Sequence, residues 1–275
     1  MNFESLLRCP ICKGLFSKNN ASFKCEKNHN FDISASGYVN LLKPGKMNNF
    51  KAGDSKEMIK ARTSFLSSGA YAPIRDMICK LCLELGGDII IDAGCGEGYY
   101  TEGIAKSNTS ATVFGFDMSK FGCEHGAKSA KRGNVKNVFY SVSSIFDMPV
   151  NDHSADTIVN MFAPVANEEF LRVLKSGGYM IIVSAGINHL NGLKSRLYNV
   201  TYENEEKILD YSGFTLIECK RLKYNTTICG NETILNLFTM TPYYHRTSLD
   251  DKKKLNCVSE INTDIEVVFS IYKKH

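Results

Sequence analysis

The stretch IIIDAGCGEGYYT, residues 89–101, restricts the fold more than any other part of the chain. A short apolar run ending in an acid and three alternating glycines, Gly94, Gly96 and Gly98, predicts a strand that turns sharply into a helix. Glycines at such a turn let the backbone approach a ligand closely, and the following helix offers free N–H groups in its first turn.

The same alternation continues downstream. ATVFGFD, NVFYSV, ADTIVNMF and GGYMIIVSA read as further strands, with helices over Lys120–Lys131 and near Glu168–Leu174 between them. Thr215–Leu222 and Ile265–Tyr272 are later strand candidates. Strands separated by helices predict an α/β fold with a mostly parallel sheet covered on both faces. Ahead of it, Pro73 starts a helix that Gly86 and Gly87 end, and a helix from Asp54 or Ser55 presents Met58, Ile59, Phe65 and Leu66 on one side. Gly37 to Asp54, rich in Gly, Pro, Asn and Lys, reads as a linker or a loop closing over a site.

A second pattern lies at the front. Cys9, Cys12, Cys25 and His29 form C-x2-C-x12-C-x3-H, the spacing of a closed tetrahedral zinc site. Turn amides would point at the sulfurs, and Gly14 would supply the permissive backbone after the second one. Four protein ligands leave no open position, so the ion would be structural. The segment is too short for a core of its own, so metal binding would supply much of its folding energy. Cys79 and Cys82 repeat the C-x2-C spacing, but they share a helical period with Ile78, Leu81 and Leu85 and read as packing residues.

Residues 1–60 carry ten Lys/Arg against five Asp/Glu, while the whole chain nets +4, so the positive charge sits in the front end. That suits a polyanionic partner. Ten cysteines without an export signal point to reduced thiols in a cytoplasm, and no apolar run is long enough for a membrane span.

A bare G-x-G-x-G also occurs in nicotinamide and flavin enzymes. Here Asp92 precedes the glycines, where it can meet an ammonium group, and Asp117 ends the second strand, where it can accept from ribose hydroxyls. RVLKSGGYMII precedes the fifth strand. Together these resemble the class I S-adenosylmethionine-dependent methyltransferase fold, a Rossmann-like, mostly parallel sheet. With the N-terminal zinc ribbon in front, and with FDISASGYVNLL, GDSKEMIKARTSFLSSGAYAPIRD, MFAPV and LFTMTPYYHR in order, the chain from Cys9 to His245 resembles the bacterial 23S rRNA (guanine-N1)-methyltransferases. That family includes members linked to macrolide resistance.

The resemblance implies a zinc ribbon over residues 1–36, a linker and helix over 37–72, and a methyltransferase domain over 73–275. The ribbon would help recognise a 23S rRNA hairpin, two ribbons of a homodimer would grip it, and the larger domain would methylate N1 of one guanine. S-adenosylmethionine would meet Tyr71, Tyr100, Thr101 and His189, besides Asp92, Gly94, Gly96 and Asp117. The chain departs from the family in having no tryptophan and in placing Val165 where some members show cysteine. Guanine N1 needs its proton removed or acidified, and Glu97, Glu168 and His189 are the candidate bases. The carbonyls of Phe162-Ala163-Pro164 could orient the base. Phe50, Tyr38 and Tyr99 offer stacking surfaces, and Lys43, Lys46 and Lys51 offer phosphate contacts. The competing readings are a methyltransferase of small molecules with a structural ribbon, and a zinc-ribbon RNA-binding factor without turnover.

Overall fold

In the computed structural model, residues 3–19, 21–43, 54–206 and 208–275 are described. The front end is a three-stranded antiparallel ribbon of β1 (Phe16–Asn19), β2 (Ser22–Cys25) and β3 (Asn30–Asp32). β4 (Val39–Asn40) follows, then α1 (Lys56–Leu66) and α2 (Ala72–Leu85). Of the two capping candidates for α1, Ser55 accepts from the Met58 N–H, which leaves Asp54 free for another task. Pro73 lies in the first turn of α2, and Gly86 and Gly87, both at positive φ, end it.

The alternating part then runs β5 (Ile89–Ala93), α3 (Tyr99–Ser107), β6 (Thr112–Asp117), α4 (Lys120–Arg132), β7 (Val138–Val142), β8 (Ala155–Met161), α5 (Asn167–Val173) and β9 (Leu174–Ala185). α6 (Asn191–Leu197), β10 (Phe214–Cys229), α7 (Asn231–Thr239), α8 (Tyr243–Arg246), α9 (Leu249–Lys253) and β11 (Glu260–Lys274) complete it. One sheet takes the order β10-β11-β9-β8-β5-β6-β7-β4. β4 through β9 pair in parallel, and β11 and β10 are antiparallel additions. From β5 the chain steps outward to β6 and β7, then returns to β8 on the other side of β5. The strand order therefore reverses between β5 and β8, and a crevice opens beyond their C-terminal ends.

Two expectations change here. The segment after Gly37 contains β4, which extends the sheet beside β7 through Val39↔Ser141 and Asn40↔Val142. β10 runs past Leu222 to Cys229 because it is an edge strand. Beyond Leu222 only every second residue (Tyr224, Thr226, Ile228) turns inward, so the apolar run stops while the pairing continues. The helices α6 to α9 have no counterpart among the expected elements, although Ile234, Leu237 and Phe238 of α7 carry the helical spacing that signals one.

Residues 143–154, between β7 and β8, contain no helix to cover the sheet. The ribbon covers it instead. Phe3 packs edge-on to Phe114 with ring centroids 5.8 Å apart and lies 5.4 Å from Phe139, and Phe23 lies 5.9 Å from Phe139. Leu7, Cys9, Phe16 and Cys25 belong to the same buried cluster as Phe114, Phe116, Met148 and Val150. Arg8 donates its N–H to the Pro149 carbonyl at 2.9 Å, and Lys13 pairs with Asp147 at 2.6 Å. Ribbon and sheet share one core. The opposite face is covered by α2, α3, α6 and α7, where Cys79 and Cys82 are buried packing residues.

Candidate functional site

The ribbon gathers Cys9, Cys12, Cys25 and His29 so that their four ligand atoms lie within 4.8 Å of one another, the described residues' one such group. Cys12 Sγ and Cys25 Sγ are 3.5 Å apart, Cys25 Sγ and His29 Nδ1 3.3 Å, and Cys9 Sγ and His29 Nδ1 3.5 Å. A tetrahedron of zinc ligands at about 2.0–2.3 Å has edges of roughly 3.3–3.8 Å, so the donor set and its spacing fit zinc. Two similar turns create the site. The Cys9 carbonyl accepts from the Lys13 N–H, and the Cys25 carbonyl from the Asn28 N–H, each at 2.8 Å. The left-handed residues are Lys13 (φ 61°) and Asn28 (φ 63°), not Gly14 as expected. A Cβ at Gly14 would stand in ordinary contact with Cys12 Sγ, so nothing in the structure requires glycine there.

The second centre is the crevice between β5 and β8. Asp92, 1% exposed at the end of β5, accepts from Thr101 Oγ1 at 2.6 Å. Burial, reinforced by Asp117 and Glu97, pushes its carboxyl up to about 7. Asp117 at the end of β6 accepts the Gly96 N–H at 2.9 Å and the Ser119 N–H at 2.7 Å, which ties the glycine loop to the start of α4. Gly94 (φ 91°) faces the loop after β8, and a Cβ on it would lie 2.8 Å from Ala163 Cβ. Asn160 clamps that loop by donating Nδ2 to the Ala93 carbonyl at 3.0 Å and the Pro164 carbonyl at 3.1 Å. Substituting Gly94→Ala combines a strained φ with a clash and is expected to destabilise by about 1–3 kcal/mol. Thermal unfolding checks this, with a fall of several degrees in Tm expected.

His189 and Tyr71 meet deep in the same region. Tyr71 Oη lies 3.1 Å from His189 Nε2, and His189 Nδ1 accepts from the Glu266 N–H at 3.3 Å. A backbone N–H can only donate, so the neutral ring carries its proton on Nε2 and gives it to Tyr71. Tyr71 is then left with an O–H that has no acceptor among the described residues. Burial, followed by Lys194, lowers His189 to about 4, so the ring is neutral at pH 7. Both of its nitrogens are occupied, which makes it a poor proton acceptor for a substrate.

The other expected residues are placed as follows. Glu97 is buried and held 3.7 Å from Arg62, which also pairs with Asp54. Glu168 is exposed in the first turn of α5. Tyr100 packs edge-on to Tyr99 at 5.1 Å, and Tyr99 lies beneath the Arg75 guanidinium at 5.3 Å. Tyr38 is buried against α4 and β7, so it offers no open stacking face, in contrast to the expectation. Lys43 is exposed, while Lys46, Phe50 and Lys51 lie outside the described residues. Arg62 and Asn160 were not anticipated. Arg62 stands eight residues after Asp54 within GDSKEMIKAR, and only folding brings the two against the glycine loop, where Arg62 comes within 3.1 Å of a Cβ placed on Gly96.

Comparison with known proteins agrees with this geometry. Residues 85–240 match a family model described as "Methyltransferase domain", and residues 7–46 match one described as "RlmA, N-terminal". The 23S rRNA (guanine(748)-N(1))-methyltransferase of Streptomyces fradiae is 31% identical over 202 residues, covering 71% of this chain and 69% of that protein. The chain belongs to the 23S rRNA (guanine-N1)-methyltransferase family. A Bacillus subtilis protein whose name carries the same family activity provisionally is 28% identical over 285 residues, covering 97% of each chain. Among solved structures, the [4+2]-cyclase SpnF shares the fold with a TM-score of 0.50 and 14% identity, covering 75% of this chain and 82% of that one. That likeness concerns the fold alone.

The family's two groups suit the residues present. The sheet is that of a class I methyltransferase, whose cofactor is S-adenosylmethionine. A buried carboxylate without a cation at Asp92 and a hydroxyl without an acceptor at Tyr71 fit a zwitterionic nucleoside. The Cys3His cluster fits one structural zinc ion. Among the described residues no helix is long and apolar enough to cross a membrane.

Proposed function

We propose that the chain transfers the methyl group of S-adenosylmethionine to N1 of one guanine in a hairpin loop of 23S rRNA. The observation that carries this reading is the shared core of ribbon and sheet. A metal-held front end is fixed on the sheet that bears the crevice, so a grip on RNA by the ribbon and the site of chemistry keep one relative position.

Bound in the crevice, S-adenosylmethionine supplies a methyl group already activated by its sulfonium. Asp92 would hold the ammonium, Asp117 the ribose hydroxyls through its remaining lone pairs, and Tyr71 the carboxylate through its free O–H. His189 orients Tyr71. Gly94 and Gly96 let the loop after β8 and Arg62 close on the glycine turn that would carry the cofactor, and Tyr100 and Thr101 support the wall, Thr101 by fixing Asp92. Glu97 is engaged by Arg62, Glu168 faces solvent and His189 has no free lone pair, so none of the three is suited to act as the base. The carbonyls of Phe162 and Ala163 accept no hydrogen bond among the described residues. They suit the 2-amino donor of guanine and would orient that edge, leaving N1 open to the methyl while its proton passes to water. Positioning supplies the rate in this reading.

The active species is read as a homodimer in the cytoplasm. None of the ten cysteines is paired in a disulfide, which fits a reducing compartment. Primer extension on unmodified 23S rRNA incubated with protein and cofactor tests the substrate, because a methyl on N1 blocks base pairing. One new stop in a hairpin is the expected result. Cofactor binding with no new stop, on rRNA and on intact subunits alike, would overturn the RNA reading in favour of a small substrate.

A further inference from the structure

Phe162 is an unusual residue in the crevice. It sits immediately after β8 at φ 53°, a left-handed conformation that is uncommon for a bulky side chain, and yet its ring is 46% exposed. Hydrophobic burial therefore does not explain its presence. The conformation is held by neighbours: the Phe162 N–H donates to the Val183 carbonyl at 2.9 Å, and Asn160 ties the Pro164 carbonyl, two residues on, to the end of β5 by donating also to the Ala93 carbonyl. Backbone strain maintained by surrounding contacts is common where a side chain must be aimed.

The aim is visible in the rings. Phe65 meets Tyr71 edge-on at 5.1 Å, Tyr71 meets His189 at 6.0 Å, and His189 lies nearly parallel to Phe162 at 6.1 Å with 27° between planes. This aromatic series starts in the core, passes the Tyr71–His189 pair and ends at the surface on Phe162. One face of the Phe162 ring is taken by His189, and the ring stands next to Ala163, which faces Gly94. An exposed ring with a fixed plane at the mouth of a methyl-transfer site suits a planar, unpaired base.

We infer that Phe162 is the stacking platform for the target guanine, a positioning residue that holds the flipped base at the crevice between β5 and β8. The inference deepens the rRNA guanine-N1 reading and rests on it. Tyr38, buried against α4 and β7, cannot take this role, and one face of Tyr99 is already occupied by the Arg75 guanidinium.

The test compares wild type with Phe162→Gly, Phe162→Leu and Phe162→Tyr on 23S rRNA under steady-state conditions. Glycine relieves the left-handed backbone, so Phe162→Gly should keep or raise Tm, and cofactor affinity measured by calorimetry should stay within twofold. Its kcat/KM for RNA should fall roughly 5- to 150-fold, the range for loss of one base–aromatic stack. Phe162→Leu should resemble the glycine variant, and Phe162→Tyr should restore activity to near wild type. A Phe162→Gly enzyme within twofold of wild type on RNA would overturn the assignment while leaving the substrate reading intact, as would a Phe162→Leu enzyme as active as Phe162→Tyr. A wild-type protein that methylates no RNA would overturn the substrate reading, and this inference with it.

Discussion

Chelation of the zinc ion is expected to unfold the chain as a whole. The ribbon carries little core of its own: Phe3 and Phe23 pack on Phe114 and Phe139 of the central sheet, and Leu7 and Phe16 belong to the same buried cluster as Phe116. Between β7 and β8 no helix is available to cover that face once the ribbon opens. Structural zinc contributes roughly 10–16 kcal/mol in small zinc domains, as much as the roughly 5–15 kcal/mol that holds a typical domain folded. Loss of the ion should therefore bring one cooperative transition at a much lower temperature, or none. Circular dichroism is the suitable probe, because the chain has no tryptophan. Equilibration with a strong chelator and the Cys25→Ser variant should behave alike. A chelated protein in which the methyltransferase part unfolds at the original temperature would contradict the shared core.

Replacing Asp92 should weaken the cofactor and strengthen the empty protein. The carboxyl is buried, bonded only to Thr101 among the described residues, and pushed up to about 7 by burial. A raised pKa means that the folded state holds a proton the unfolded chain has already lost. Stability from this group is therefore present at low pH and falls as pH rises from the ordinary carboxylate range to about 7. Asp92→Asn removes that cost and keeps the bond from Thr101, so at pH 8 the apo variant should melt at a higher temperature than wild type. The cofactor's ammonium would favour the ionised carboxylate. Its loss from a buried charge pair costs about 2–5 kcal/mol, so affinity should drop roughly 30-fold or more. Wild-type affinity should also decline about tenfold per pH unit below 7, while the asparagine variant stays flat. Calorimetric titration between pH 5.5 and 8 checks both. Equal affinity in the two proteins at pH 8 would remove Asp92 from the cofactor site.

Local chemistry made much of this legible in advance. A cysteine pair needs a tight turn to face one metal, and a glycine run after an apolar strand needs a ligand or a close neighbour, so Cys9–His29 and Asp92–Gly98 could be read from spacing. The central strands were legible because a parallel sheet buries both faces and leaves uninterrupted apolar runs. What could not be read depends on distant partners. Arg62 looks like a solvated helix charge until folding sets it against Asp54 and Glu97. Tyr38 looks available until α4 covers it. Phe162 reads as a loop residue whose carbonyl could orient the base, and only its backbone angle, its exposure and its His189 contact bring the ring itself into play. Gly14 reads as the permissive backbone after the second sulfur, but the positive φ falls on Lys13, because glycine is the usual signal for backbone freedom and lysine is not. The missing helix between Val142 and Ala155 was a visible gap, but nothing local indicated that the ribbon would fill it.

The most direct test of the central claim is chemical identification of the product. Zinc-loaded protein is incubated with S-adenosylmethionine and 23S rRNA lacking modifications, the RNA is digested to nucleosides, and methylated guanosines are separated by mass spectrometry against standards for N1, N2, N7 and ribose methylation. The predicted result is 1-methylguanosine approaching one residue per rRNA, absent with heat-denatured protein. A different methylguanosine, or none from a protein that binds its cofactor, would contradict it.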